Sequence, residues 1–118
     1  MAIPTIIIKA IPRGNDFLGQ EFRITKKVDG VPTPINLSGA RIFAQFRTNY
    51  NGSVIFEFKT DDNSIVITDL ENQKIKFMPR NMNYQPVNYI SDLKIILADG
   101  IDKTYCRFKW GILNVATR

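Results

Sequence analysis

Chemistry in this sequence would have to come from carboxylates, hydroxyls and one thiol, because it has no histidine and a single cysteine, Cys106. The lack of histidine removes the commonest general base, proton shuttle and metal ligand together. A cysteine nucleophile ordinarily has a histidine beside it, which this sequence cannot supply, and one cysteine without histidine cannot make a structural zinc site. Cys106 falls on the inward register of its strand and reads as a small buried hydrophobe. The seven glycines are scattered singly among turns, so no glycine-rich loop is formed to cradle a phosphate. Asp61-Asp62-Asn63 gathers oxygen atoms, but without the spaced ligands and closing glutamate of a calcium loop it reads as a solvated turn. The sequence therefore predicts no catalytic residue, no cofactor and no metal.

Two features point to binding instead. Tyr84 and Tyr89 flank a stretch that also holds Asn81, Asn83, Gln85 and Asn88. Aromatics among amides are what a sugar-binding loop presents, and also what a long loop shows when its rings pin it to the body of a domain. Both readings stand at the level of sequence. The second feature is a surplus of large apolar groups, Ile7, Ile11, Phe43, Ile55, Met78 and Ile96, where strand alternation calls for polar ones. A monomeric domain has little reason to expose so many. The N-terminal Ile3 to Ile11 segment is expected to cover some of them, its Ile6-Ile7-Ile8 run burying both faces. The rest predict contact with a neighbouring subunit.

The elements that would position these residues are strands. Phe22 and Ile24 alternate with Glu21, Arg23 and Thr25, and Ile42, Ala44 and Phe46 share one side of the 41–47 run. Val54, Phe56 and Phe58, then Ile65 and Ile67, then Ile75 and Phe77, repeat the pattern. So do Leu93, Ile95 and Leu97, and finally Cys106, Phe108, Trp110 and Ile112. This is the period of half-buried strands, filled with β-branched and aromatic residues. Trp110 and Phe108 read as core. Asp29-Gly30, Asn51-Gly52 and Asp99-Gly100 supply tight reversals, and the prolines of Val31-Pro32-Thr33-Pro34 suit a crossing loop or a sheet edge. Residues 78–87 form the longest irregular stretch, with room for one helical turn. Residues 1–118 are thus expected to make one all-β domain, an antiparallel β-sandwich of seven to eight strands.

A lone cysteine excludes an intrachain disulfide and fits folding in a reducing cytosol. The start has neither the basic region nor the apolar run of a signal peptide, and no stretch is long enough to span a membrane. The net charge of +5 would suit an acidic partner or nucleic acid, but Lys26-Lys27 is the only adjacent basic pair. Basic residues dispersed in this way read as the solvated face of a sheet, so the sequence predicts neither nucleic acid nor a membrane as partner.

The order of the turn motifs carries a resemblance. Gly14-Asn15-Asp16-Phe17, a strand, Asp29-Gly30, and Ile35-Asn36-Leu37-Ser38-Gly39-Ala40 are followed by Ile65-Val66-Ile67-Thr68-Asp69 and Lys74-Ile75-Lys76-Phe77. Tyr89-Ile90-Ser91-Asp92-Leu93, Asp99-Gly100, Trp110-Gly111 and Val115-Ala116-Thr117-Arg118 complete it. The series resembles tailed-phage structural proteins with a small immunoglobulin-like domain. It is similar to the N-terminal domain of upper-baseplate proteins and to short proteins of the head and tail gene clusters. Pro86-Val87-Asn88 stands where those proteins usually carry a glycine. The resemblance implies an immunoglobulin-like sandwich without enzymatic activity, made in the host cytoplasm and built into the virion. There it would act as an adaptor in tail, baseplate or head-tail region. Its partners would be other virion proteins, with the chain homo-oligomeric or ring-bound and no small-molecule substrate. A capsid decoration protein of the same fold, and a carbohydrate-binding module using the Tyr84–Tyr89 loop, are the alternatives.

Overall fold

The alternating runs become strands. The computed structural model describes residues 5–24, 26–28, 31–33 and 35–114. One sheet has five strands in the order β1 (Thr5–Pro12), β12 (Asp102–Leu113), β11 (Asn88–Ile96), β6 (Arg41–Phe46) and β7 (Phe56–Lys59). A second has three, in the order β3 (Gln20–Arg23), β9 (Lys74–Phe77) and β8 (Ile65–Asp69). Two short ribbons complete the fold, β2 (Asp16–Phe17) with β10 (Arg80–Asn81) and β4 (Lys26–Val28) with β5 (Val31–Thr33). The Val31-Pro32 segment is thus a short edge strand, with Pro32 opposite Lys27. The Asp29-Gly30 turn, Pro34 and residues 115–118 lie outside the described residues.

The fold is an all-β sandwich whose eight principal strands are split five and three between two sheets. In immunoglobulin domains the strands lettered B, E and D share one sheet and C, F and G the other. Here β3, β9 and β8 take the first set of places, and β6, β11 and β12 the second. The core fills the space between them with rings. Phe58 of the large sheet stacks on Phe77 of the small one at 4.8 Å, and Phe22 meets Phe108 at 5.2 Å. Trp110 lies among Phe17, Phe46, Phe56 and Phe58. Burial of each such side chain stabilises the fold by about 1.5–3 kcal/mol. Period two explains the result directly: Cys106, Phe108, Trp110 and Ile112 are all buried on one side of β12.

Two details differ from the expected pattern. The pairing is not wholly antiparallel, since β1 runs parallel to β12, with Thr5 beside Arg107 and Pro12 beside Leu113. Its ladder carries a bulge: Ile8 sits opposite Trp110, but Ile11 rather than Ala10 sits opposite Ile112. An extra residue on one strand reverses the side on which all later residues point. The chain also makes its helical turn at Thr60–Asp62 and not within 78–87, where β10 pairs with β2 instead. Asn63 closes that turn in the left-handed region at φ 65°, a conformation asparagine tolerates.

Between β2 and β3 the backbone turns at Gly19 with φ +94°, and a Cβ there would lie 3.1 Å from the Phe77 carbonyl. Only glycine meets both demands, and the turn brings β3 alongside β9.

Candidate docking face on the five-stranded sheet

The outward side chains of β6 and β11 face away from the core. Antiparallel pairing sets Lys94 beside Phe43 and Ile96 beside Arg41, while Arg47 bridges to Ile90. The result is an open groove of about 410 Å³. Phe43, Ile90, Ile96 and Tyr50 supply its apolar surface, and Gln45, Arg47, Ser91, Asp92, Lys94 and Thr104 complete the lining.

Several of the groove's polar residues are held by one another or by charged neighbours around its rim. Arg47 donates to Gln45 Oε1 at 3.2 Å, and Gln45 Nε2 donates to Glu57 Oε2 at 3.1 Å. Lys59 Nζ donates to Glu57 Oε1 at 2.8 Å. The Lys59 ammonium and the Gln45 amide hold the Glu57 carboxyl below its ordinary range. Arg107 reaches Asp92 at 3.3 Å and lies over the Tyr50 ring at 4.9 Å, and Lys94 pairs with Asp102 at 3.3 Å. Beside the groove, Arg41 pairs with Asp61 at 2.7 Å while its guanidinium covers Phe43 at 5.2 Å. Exposed pairs of this kind add at most about 1 kcal/mol each to stability. Their larger effect is positional, because they fix the side chains that frame the apolar floor.

Of the six apolar residues singled out from the sequence, the structure brings Phe43 and Ile96 together in this groove. Ile7 lies on β1, 77% exposed, so the Ile6-Ile7-Ile8 run does not bury both faces: Ile8 is buried and Ile6 half-buried. The bulge turns Ile11 back, and it packs on the core. Ile55 is exposed just ahead of β7, its amide donating to the Phe46 carbonyl at 2.9 Å. Met78 is half-buried after β9, with its amide on the Ser64 carbonyl. These six residues therefore do not form one continuous face. Ile90 and Tyr50 belong to the groove and escaped the sequence reading. Ile90 alternates with Tyr89 and Ser91 and was legible by period; Tyr50 sits in a loop, where period says nothing.

Tyr84 and Tyr89 serve the core. Tyr89 is buried, and its hydroxyl donates to the Gln85 carbonyl at 2.7 Å. A tyrosine at the start of this strand bonding back to upstream backbone is the tyrosine corner of immunoglobulin-like sandwiches. Tyr84 stacks on Phe56 at 4.5 Å and is half-buried. The loop is pinned by its rings: Tyr89 is buried, and Tyr84 gives one face to Phe56. Two residues beyond the corner tyrosine, where antibody domains carry a cysteine, stands buried Ser91. Cys106 is also buried, and desolvation pushes its thiol up to about 12, so it is protonated at neutral pH and a poor nucleophile.

Known proteins offer no match to this chain, whether among family models, curated proteins or solved structures.

Proposed function

We propose that the chain is a non-enzymatic structural subunit of a tailed-phage particle, an adaptor that seats another virion protein in the groove on its five-stranded sheet. The groove carries the reading. A framed apolar surface built from Phe43, Ile90, Ile96 and Tyr50 has no task within the domain, whose core is complete without it. The turn motifs favour a virion setting, and the net charge of +5 favours a partner with an acidic rim.

The test places a lysine in the groove. Phe43→Lys and Ile96→Lys are expected to fold, because both side chains face outward, and to be missing from particles assembled with them. Electron microscopy of the particle and its protein composition report the result. Ile55→Lys, outside the groove, is the comparison and is expected to be incorporated. Normal incorporation of both groove variants would sink the proposal.

A further inference from the structure

The outer edges of the two sheets are protected unequally. Edge strands expose unpaired backbone groups, and natural proteins guard them with charge, brevity or bulges. At one end of the large sheet, β7 is four residues long and carries the paired Glu57 and Lys59. In the small sheet, β3 is four residues long with Glu21 and Arg23, and β8 is interrupted between Ile67 and Asp69. At the other end of the large sheet β1 runs for eight residues, and its first half, Thr5-Ile6-Ile7-Ile8, has no charge and no bulge. Ile7 projects from it, 77% exposed. Beside Ile7 the same face holds a hollow of about 510 Å³, lined in part by Ala10, Ile90 and Gly111.

We propose that β1 pairs antiparallel with β1 of a second copy, across a two-fold axis at Ile7, joining the two large sheets edge to edge. A contact of this symmetry requires a strip that is its own complement. With the axis at Ile7, Ile6 faces Ile8 of the other copy and Thr5 faces Lys9, so apolar meets apolar and the two ammonium groups never meet. An axis at Lys9 would set them directly opposite, which is unfavourable. A foreign strand is the poorer occupant, because Thr5–Ile8 offers no charged group by which to select one sequence over another. The pairing uses an edge and leaves the groove on the sheet face to the partner protein.

Sedimentation of the full chain over a concentration series tests this. A dimer is expected at about 100 μM, where a Kd near 1 μM leaves little monomer. Ile7→Lys is expected to be monomeric with unchanged circular dichroism, since the side chain is exposed. Ile7→Cys is expected to cross-link to a dimer on oxidation, because the two positions face each other across the axis, while Leu18→Cys, 82% exposed and off this strand, stays monomeric on a denaturing gel. Phe43→Lys leaves the dimer intact, which separates this contact from the groove. A monomeric wild type, a dimer that survives Ile7→Lys, or Ile7→Cys that fails to cross-link would each overturn the proposal.

Discussion

Trp110 is the residue on which the interior is arranged. It is 1% exposed, with the rings of Phe17, Phe46, Phe56 and Phe58 at 4.8–5.9 Å from its own. Its indole Nε1 finds no hydrogen-bond partner among the described residues, so its value is that of packing alone. Truncation of a buried aromatic costs about 3–5 kcal/mol. Against a total stability of roughly 5–15 kcal/mol, Trp110→Ala is expected to lower the urea midpoint sharply with little change in slope. A midpoint equal to that of the wild type would show that the cavity is repacked and that the cluster does not depend on the indole. Tyr89 is held differently, by its buried ring and by one hydroxyl bond. Tyr89→Phe keeps the ring and removes the donor to Gln85, so a loss of about 0.5–1.5 kcal/mol is expected. Equal stabilities of the two proteins in the same titration would show that the hydroxyl contributes nothing.

At the scale of elements, strands with one wet face were the legible part. In β6, β11 and β12 the inward positions are apolar apart from Ser91, and the structure buries Ile42, Ala44, Phe46, Leu93, Ile95, Phe108 and Trp110 as alternation requires. Phe43 and Ile96 were found by the same logic, as apolar residues on the wrong side of a strand. Ile11 was misplaced because a bulge adds one residue without leaving a mark on the period, and every later side chain then changes face. The remaining groove residues were hidden for another reason. Nothing local in β6 or β11 states that they are neighbours; Arg47 and Ile90 meet only after the sheet is ordered. The helical turn at Thr60–Asp62 depends likewise on non-local bonds, since Thr60 Oγ1 accepts the Ile42 amide.

For the whole molecule, the sandwich does without the inter-sheet cystine that antibody domains carry. Ser91 stands on β11 where one of those cysteines would be, and its hydroxyl turns to the Asp92 carbonyl at 2.9 Å. The rings take over the task of joining the sheets, with Phe22, Phe77 and Phe108 in mutual contact across the interface. Stability that comes from area rather than from a covalent link is indifferent to redox conditions. Among the described residues, the interior is closed by these rings, and the outer groove and the β1 edge are left on the surface. The two proposals divide those surfaces between a different protein and a second copy.

The parallel alignment of β1 and β12 has a mechanical consequence. Thr5 and Leu113 lie at opposite ends of the shared ladder, and the Arg13 amide donates to the Leu113 carbonyl at 3.0 Å at its far end. Tension applied between Thr5 and Leu113 therefore slides the two strands past each other and loads all of the ladder's bonds at once. Tension applied between Arg13 and Leu113 opens the same ladder from one end, a bond at a time. Forced unfolding is governed by the rate of crossing the barrier, so the two directions should differ although the equilibrium stability is the same. In single-molecule pulling, handles at Thr5 and Leu113 are expected to yield only at a distinctly higher force than handles at Arg13 and Leu113; equal rupture forces would show that this ladder does not bear the load. Load applied along β1 and β12 in this way is borne by the whole ladder together, whereas load that pries the two strands apart is met by one bond at a time.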